Sequence, residues 1–383
     1  MKVAYCIPST YNTGGMERIL SLKANYMREQ WGWDITIITT DQKGRDAHFP
    51  LAEGIHQIDL GINYEDSLQC HAVKQITNRI KKKHLHRKRL SSLLLQSNFD
   101  IVVSMVSNEF SILPKIKDGS AKIAEILFCK EYRKLDLKYH RRSRVRRLIG
   151  LIQDKLDERH ASRYDAFVTL TEQDAASWRK LKNLHVIPNP CPTFGPELPD
   201  YRAKEAIAVG RLCPQKGFDL LMKSWNLLPD RIKNTWSLRI YGNGPDLNYL
   251  QRLKDDLHLD RVQICHPTAQ IFERMQESSL FLFSSLYEGF SLALSEAMAI
   301  GLPCVAFDCP CGPRELITSQ EHGFLVPLGD VTSFAHSIEK MAQSEQRRAE
   351  VGQRGKEQIQ REFAPTRIME KWFSLFSELN NKR

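Results

Sequence analysis

The 383-residue chain is longer than one ordinary hydrophobic core and has the length of two α/β domains. Its 42% hydrophobic and 26% charged residues, without a low-complexity segment, exclude a disordered chain. No run of about 18 apolar residues is present, and the N-terminus reads as a strand rather than a secretory leader. The nine cysteines stand mostly alone, which favours a reducing, cytoplasmic compartment.

The formal net charge of +10 comes from one half of the chain. Residues 1–188 hold 32 Lys and Arg against 21 Asp and Glu, whereas residues 189–383 hold 23 against 24. We therefore expect a negatively charged partner to meet the N-terminal half.

Strand-like apolar runs alternate with helical stretches along the chain, which predicts parallel sheets with crossover helices. Continuous apolar runs are typical of strands that are covered on both faces. The predicted strands lie near residues 2–8, 35–41, 55–60, 100–106, 122–127, 165–170 and 184–188 in the first half, and near 205–210, 237–242, 261–265, 280–284, 303–307 and 324–327 in the second.

A glycine pair follows the first predicted strand. Gly14 and Gly15 permit close approach of the backbone to a ligand, and a helix is predicted to begin near Met16. The dinucleotide-binding fingerprint needs three spaced glycines, so this pair alone is weak support for a ligand site.

A proline-rich stretch marks the predicted domain boundary. Residues 187–199 contain five prolines and few apolar side chains, as a linker does. The prediction is an N-terminal domain over residues 1–188 and a C-terminal domain over residues 189–363. The last segment has apolar residues at helical spacing and is predicted to be an amphipathic helix that packs on a neighbour.

Two strand ends of the second half carry candidate ligand groups. Arg211 and Lys216 follow the strand that ends at Gly210, where open α/β sheets bind ligands. Charge-assisted bonds from such cations to phosphate contribute about 1.5–3 kcal/mol each. The next strand ends in a glycine turn at Gly242, which permits close approach of a nucleotide. Taken alone, solvated cations and a plain turn explain these two segments equally well.

The most specific segment is the run from Ser284 to Pro303. It presents Glu288 on a loop and Glu296 eight residues later on a predicted helix, for which Ser291 is the predicted N-cap. Each carboxylate can accept hydrogen bonds from adjacent sugar or ribose hydroxyls. The unpaired amides at the helix start, together with the helix dipole, form an anion site; they are those of Gly289, Phe290, Ser291 and Leu292.

Together these segments resemble retaining glycosyltransferase family four, which has the GT-B fold of two facing Rossmann-like domains. The resemblance rests on the Glu-x7-Glu element and on its spacing from Gly210-Arg211 and Lys216-Gly217. It is strong over residues 165–330 and weaker in the N-terminal half. The run around Cys309-Pro310-Cys311 looks like members that build bacterial surface polysaccharide or lipopolysaccharide. The resemblance also implies that the C-terminal helix, residues 364–383, crosses back to the N-terminal domain.

The resemblance implies a role for each matched residue. Arg211 and Lys216 would neutralise the donor pyrophosphate. Glu296 would bind the ribose, and Glu288 the donor sugar near its reacting carbon. The remaining donor contacts would come from the backbone at Gly14, Gly15, Gly242, Gly289, Phe290, Ser291 and Leu292. The implied reaction moves a hexose or N-acetylhexosamine, with retention, from a nucleotide-sugar to a glycan or lipid-linked acceptor; a UDP-sugar is the preferred donor.

No divalent metal and no cofactor are expected. The chain has no Asp-x-Asp motif, so Arg211 and Lys216 are predicted to stabilise the leaving group in place of a metal. Cys309 and Cys311 have no second Cys or His cluster to complete a metal site.

Two positions depart from the family pattern. Many relatives have a His near the donor sugar where this chain reads Ala124-Glu125-Ile126-Leu127-Phe128, and Glu125 is either its substitute or a buried structural carboxylate. Relatives also often carry Gly where His266 stands, which leaves the nucleotide base unassigned.

Two basic runs suggest a surface for an anionic membrane. Residues 79–89 hold seven Lys and Arg, and residues 138–147 hold six and lead into an apolar stripe through Ile152 and Leu156. The alternatives are a solvated helix whose apolar face joins the core, and a nucleic-acid surface, against which the lack of interleaved aromatics argues. The expected location is the cytoplasm, with membrane binding at its inner face. Another GT-B sugar-nucleotide enzyme, such as an epimerase, is the alternative activity.

Overall fold

The structure of the protein is a computed structural model that describes residues 1–69, 72–132, 134–135 and 144–382. The described residues form two compact units. Unit 1 comprises those of residues 1–127, 151–190 and 368–382, and unit 2 those of residues 128–150 and 191–367. The two units are described separately below.

The first sheet belongs to unit 1 and, in the described residues, has seven parallel strands in the order β3-β2-β1-β4-β5-β6-β7. Its central strands are fully buried because helices cover both faces, as continuous apolar sequences require. The strands are β1 Lys2–Cys6, β2 Asp34–Thr39, β3 His56–Asp59, β4 Ile101–Ser104, β5 Ala121–Glu125, β6 Ala166–Thr169 and β7 Leu184–Val186.

The second sheet belongs to unit 2 and has six parallel strands in that part of the described chain, in the order β10-β9-β8-β11-β12-β13. A core of aliphatic and aromatic side chains that includes Trp225, Trp236 and Phe334 packs against it. The strands are β8 Glu205–Val209, β9 Ser237–Tyr241, β10 Val262–Cys265, β11 Leu280–Phe283, β12 Cys304–Asp308 and β13 Phe324–Pro327. Every predicted strand is thus confirmed, as is the prediction of two parallel α/β domains.

The helices connect and cover these strands. They are α1 Gly15–Trp31, α2 Ala72–Ser97, α3 Arg144–Ala161, α4 Glu172–Ala175, α5 Phe218–Asn226, α6 Asp230–Lys233, α7 Leu247–Asp256, α8 Ile271–Gln276, α9 Leu292–Ile300, α10 Pro313–Leu316, α11 Val331–Ala342, α12 Glu345–Phe363 and α13 Pro365–Asn381. Among the described helices, none has the length and apolarity needed to cross a bilayer.

The described part of residues 128–150 belongs to unit 2, although the sequence assigned it to the N-terminal domain. Its contacts explain the difference, because Cys129 packs in a buried cluster with Leu286, Tyr287 and Cys311. These partners lie far from it in the sequence and could not be read from local pattern.

The C-terminal helix α13 packs on unit 1. Its apolar stripe is buried, as its spacing predicted, and Trp372 and Phe376 are at most 1% exposed. Trp33, just before β2, stacks on Phe373 with ring centroids 5.8 Å apart, and its ring lies 5.7 Å from that of Phe376. Aromatic burial of this kind holds the last helix of the chain against the first sheet.

A buried ion pair lies beneath this helix. Lys23 of α1 donates to the Glu125 carboxylate at the end of β5, and both side chains are at most 1% exposed. The Lys23 ammonium lies 4.5 Å from the centroid of the Trp372 ring and 5.3 Å from that of Tyr5. Burial lowers the pKa of Lys23 despite the opposing attraction of Glu125. The surroundings of Glu125 thus favour the structural reading over the substitute for a catalytic His.

Removal of one member of this pair is expected to destabilise unit 1. Glu125→Leu leaves the Lys23 ammonium buried without a counter-ion, and the expected loss of unfolding free energy is about 3–5 kcal/mol. Denaturant unfolding measures it. The control is the double variant Lys23→Met/Glu125→Leu, which removes both charges and is expected to regain most of the loss. If Glu125→Leu leaves the unfolding free energy unchanged, the ion pair does not stabilise unit 1.

Candidate functional site

The strand order of unit 2 places a topological switch point at the carboxyl ends of β8 and β11. The chain runs from β8 outward through β9 to β10, and then returns to place β11 on the other side of β8. The loops after β8 and β11 therefore diverge, and ligands of open α/β sheets bind at such a switch point. The predicted residues Arg211, Lys216 and Glu288 all lie on these two loops.

An ion pair joins the two loops. The Lys216 Nζ atom donates to Glu288 Oε1 at 2.6 Å, and the two side chains are 18% and 11% exposed. Burial acts to lower the pKa of Lys216, but the adjacent Glu288 carboxylate outweighs it and raises that pKa. The ammonium thus remains charged while it is accessible to a ligand.

Hydrogen bonds from neighbouring groups fix both loops. Gln215 Nε2 donates to the carbonyl of Tyr287 at 2.9 Å, and the Leu286 amide donates to the carbonyl of Gln215 at 2.7 Å. Ser284 Oγ donates to the carbonyl of Lys216 at 2.8 Å. The positions of the two charged side chains are therefore set by backbone contacts on either side of them. Gln215 and Ser284 were not singled out from the sequence, because a Gln and a Ser in turns carry no distinctive signal.

A glycine allows the loops to come this close. Gly217 has φ 59°, and a Cβ at that position would lie 2.3 Å from the carbonyl oxygen of Ser284. A side chain would therefore be strained by the backbone conformation and would also push the β11 loop away.

The turn after β9 packs closely against the end of β8. A Cβ at Gly242 would lie 2.0 Å from the carbonyl oxygen of Gly210, at the end of β8. The backbone at Gly242 is thus brought beside the loop that carries Arg211 and Lys216. The group that lies close to Gly242 is therefore the backbone of Gly210.

The start of α9 differs from the predicted cap. Ser291 occupies the N-cap position, but its φ of 61° is left-handed and its side chain makes no capping hydrogen bond. The hydroxyl is instead buried without a hydrogen-bond partner. Loop packing explains the difference: Gly312, with φ 113°, lies so close that a Cβ there would be 2.4 Å from Ser291 Oγ. The prediction that Ser291 caps the helix through its side chain is therefore wrong.

The remaining unit 2 residues lie around this helix start. Gly289 and Leu292 are half-buried, and Phe290 is buried with its ring 5.5 Å from that of Phe363, so its side chain belongs to the core. Glu296 is 6% exposed within α9. Arg211 is exposed, and no ion pair to it is found in the described chain.

The unit 1 residues occupy the start of α1. Gly14 is the N-cap of that helix and Gly15 its first residue. A Cβ at Gly14 would meet the carboxylate of Glu17, a flexible side chain, at 2.4 Å. Burial raises the pKa of Glu17. The nearest atoms to an added side chain at Gly14 would therefore belong to its own helix.

The structure also shows where the basic runs and the candidate metal-ligand residues lie. Of the two basic runs, residues 79–89 lie on α2, whereas residues 138–143 of the second run lie outside the described residues. Groups of three or more His, Cys, Asp or Glu placed to hold a metal ion are absent from the described part of the chain.

Replacement of Gly217 by alanine is expected to destabilise the protein more than an equivalent change elsewhere. An alanine in the left-handed backbone conformation lowers the free energy of unfolding by about 1–2 kcal/mol, and the steric contact with Ser284 adds to this loss. Gly329→Ala is the matched control, because Gly329 has φ 82° but nothing within 4 Å of its added Cβ. Denaturant unfolding compares the two. Equal losses in both variants would show that the loop contact is not tight.

Comparison with known proteins agrees with this arrangement. Residues 196–358 match the sequence model of the family Glycosyl transferases group 1. The chain is 27% identical to an uncharacterized glycosyltransferase of Haemophilus influenzae, over 97% of this chain and 98% of the relative. It is 29% identical to a lipopolysaccharide 1,6-galactosyltransferase of Escherichia coli, over 28% of this chain and 32% of the relative.

The fold is similar to that of S. aureus TarM in complex with Fondaparinux, alpha-GlcNAc-glycerol and UDP. The TM-score is 0.82 at 16% identity, with 98% of this chain and 100% of TarM covered. Residues 196–358 therefore match the glycosyl transferases group 1 family, and the two parallel α/β units match the fold of solved GT-B glycosyltransferases.

Proposed function

We propose that the chain is a retaining glycosyltransferase that moves a hexose or N-acetylhexosamine from a UDP-sugar to a glycan or lipid-linked acceptor. The observation that carries this proposal is the Lys216–Glu288 ion pair at the switch point of the second sheet. The complex of TarM with UDP supports the choice of nucleotide. The Escherichia coli relative supports a place in bacterial lipopolysaccharide or surface polysaccharide synthesis.

Breaking the bond between the anomeric carbon and the phosphate oxygen leaves a nucleoside diphosphate with increased negative charge. Lys216 and Arg211 would stabilise that charge as preorganised cations. The free amides at the start of α9 would add the helix dipole, which favours an anion. The unpartnered hydroxyl of buried Ser291 would supply a further donor at this point.

In the ion pair, Lys216 would bind the phosphate of the donor and Glu288 its sugar. With one ammonium proton on Glu288, Lys216 keeps two protons for phosphate oxygens. Glu288 keeps lone pairs for a hydroxyl of the donor sugar, and Glu296 would bind the ribose. Because Glu288 raises the pKa of Lys216, the cation would remain charged throughout the neutral range. Gly242 would approach the donor through its backbone.

UDP binding is expected to need the charged groups around this switch point. Lys216→Met is expected to weaken the affinity for UDP about tenfold to 100-fold, because it removes one charge-assisted bond. Glu296→Ala is expected to abolish the thermal shift given by UDP while the unfolding temperature of the free protein is retained. Calorimetry and a thermal-shift panel of UDP, GDP and ADP measure both effects.

The control for this experiment is Arg252→Met on the exposed face of α7, which also removes one surface cation of unit 2. It is expected to bind UDP as the unaltered protein does. Equal UDP affinity in Lys216→Met and in the unaltered protein would contradict the proposed donor site.

Sugar transfer is expected to proceed without a divalent metal. The chain would use Arg211 and Lys216 where Asp-x-Asp enzymes use a metal, so transfer of labelled sugar should persist in excess chelator. The rate in added Mg²⁺ or Mn²⁺ after chelation provides the comparison. Activity that vanishes in chelator and returns only with metal would refute the metal-independent mechanism.

A further inference from the structure

Helix α2 of unit 1 carries a dense run of basic residues between residues 79 and 89. Its 26 residues include eight Lys and Arg and contain neither Asp nor Glu. An ordinary surface helix mixes the two signs of charge, because pairs three or four residues apart stabilise it. The repulsion among these cations therefore calls for an explanation outside the helix itself.

The described cations of α2 fall into two groups. Lys82 donates to the carbonyl of Asn63, and Arg89 to that of Gly61 at 3.1 Å, so these two hold neighbouring backbone. The others are exposed and have no ion pair within the described residues; they are Arg79, Lys81, Lys83, Arg87 and Lys88. The charges of these five side chains are therefore available to a binding partner.

Apolar side chains stand among these cations. Ile80 is 65% and Leu95 60% exposed on α2. The spacing of Ile80, Lys88 and Leu95 keeps them within about 80° of helix rotation. The adjacent side of the helix buries His86, Leu90 and Leu94. In the part of α3 that belongs to unit 1, Ile152 and Leu156 are also about half exposed, one turn apart. The described part of the α3 stripe therefore does not join the core.

Further cations gather where α2 meets the segment after β4. Exposed Lys115, in the 3-10 turn Leu113–Lys115, lies close enough for its charge to act on Lys83, as does Arg79. The pKa of Lys83 is lowered mainly by burial and further by the charges of Lys115 and Arg79. The crowding extends the positive surface beyond one helix.

We infer that the exposed face of α2 docks on an anionic lipid bilayer. This face carries Ile80, Lys81, Lys88 and Leu95. Cations would lie at the headgroups while the two aliphatic side chains enter the acyl boundary, as in interfacial amphipathic helices. The inference does not depend on the identity of the nucleotide-sugar donor. A lipid surface would, however, bring a lipid-linked acceptor to unit 1.

The chemistry of this face favours lipid over nucleic acid. Single-stranded nucleic acids are bound by cations together with aromatic side chains on which bases stack, and α2 contains no Phe, Tyr or Trp. Exposed Ile and Leu gain nothing from a phosphate backbone but gain hydrophobic free energy in a bilayer.

The test is flotation of the full chain with vesicles of phosphatidylethanolamine that contain about one-quarter phosphatidylglycerol, near physiological salt. Lys81→Glu/Lys88→Glu reverses two exposed charges without touching Lys82 or Arg89. The expected fall in the partition coefficient is at least about 100-fold, since each cation contributes about fivefold and each reversal adds repulsion. Ile80→Ser/Leu95→Ser is expected to leave weaker, more salt-sensitive binding.

The matched control, Lys204→Glu/Arg252→Glu, makes the same change of net charge on exposed residues of unit 2 and should float as the unaltered protein does. All variants are checked for their thermal shift with UDP, which should not change, so a failed donor site and a failed lipid surface are distinguished. The inference is overturned if the unaltered protein does not bind these vesicles, or if the α2 variant binds them equally well. Tighter binding to single-stranded DNA than to vesicles at the same salt would also overturn it.

Discussion

The Lys216–Glu288 ion pair is the contact on which the candidate site depends. It spans the point where the second sheet reverses its strand order, so it ties together two loops that otherwise diverge. The surrounding backbone leaves little freedom: Gly217 allows the loops to touch, and hydrogen bonds from Gln215 and Ser284 fix their separation. A charged ligand group therefore meets side chains that are already in place, which reduces the entropy lost on binding.

Two Lys–Glu ion pairs in this chain differ in burial, and burial determines whether such a pair is accessible to a ligand. Lys23 and Glu125 are both inaccessible, and burial lowers the pKa of Lys23. The two charges neutralise each other beneath α13, and neither side chain is accessible to a ligand. Lys216 and Glu288 retain 18% and 11% exposure, and the pKa of Lys216 is raised. That pair keeps donors and lone pairs for a ligand, as a phosphate and sugar site requires.

Much of this architecture could be predicted from the sequence because its signals are local. Apolar runs between turn residues marked every described strand, and the two loops with Lys216 and Glu288 followed from strand ends. The misses came from contacts distant in sequence. Ser291 does not cap α9 because Gly312, on the loop after β12, packs against it. The described part of residues 128–150 belongs to unit 2 rather than to the predicted N-terminal domain because Cys129 packs with residues beyond 280. The lysine partner of Glu125 is 102 residues away.

If Lys216 and Glu288 act on the donor as one unit, a double-mutant cycle should reveal the coupling between them. Calorimetric UDP titrations of the unaltered protein, Lys216→Met, Glu288→Gln and the double variant give the coupling free energy between the two side chains. We expect non-additive effects with a coupling of about 0.5–3 kcal/mol, as contacting residues of one site show. Strictly additive effects, or UDP affinities unchanged in all three variants, would contradict this expectation.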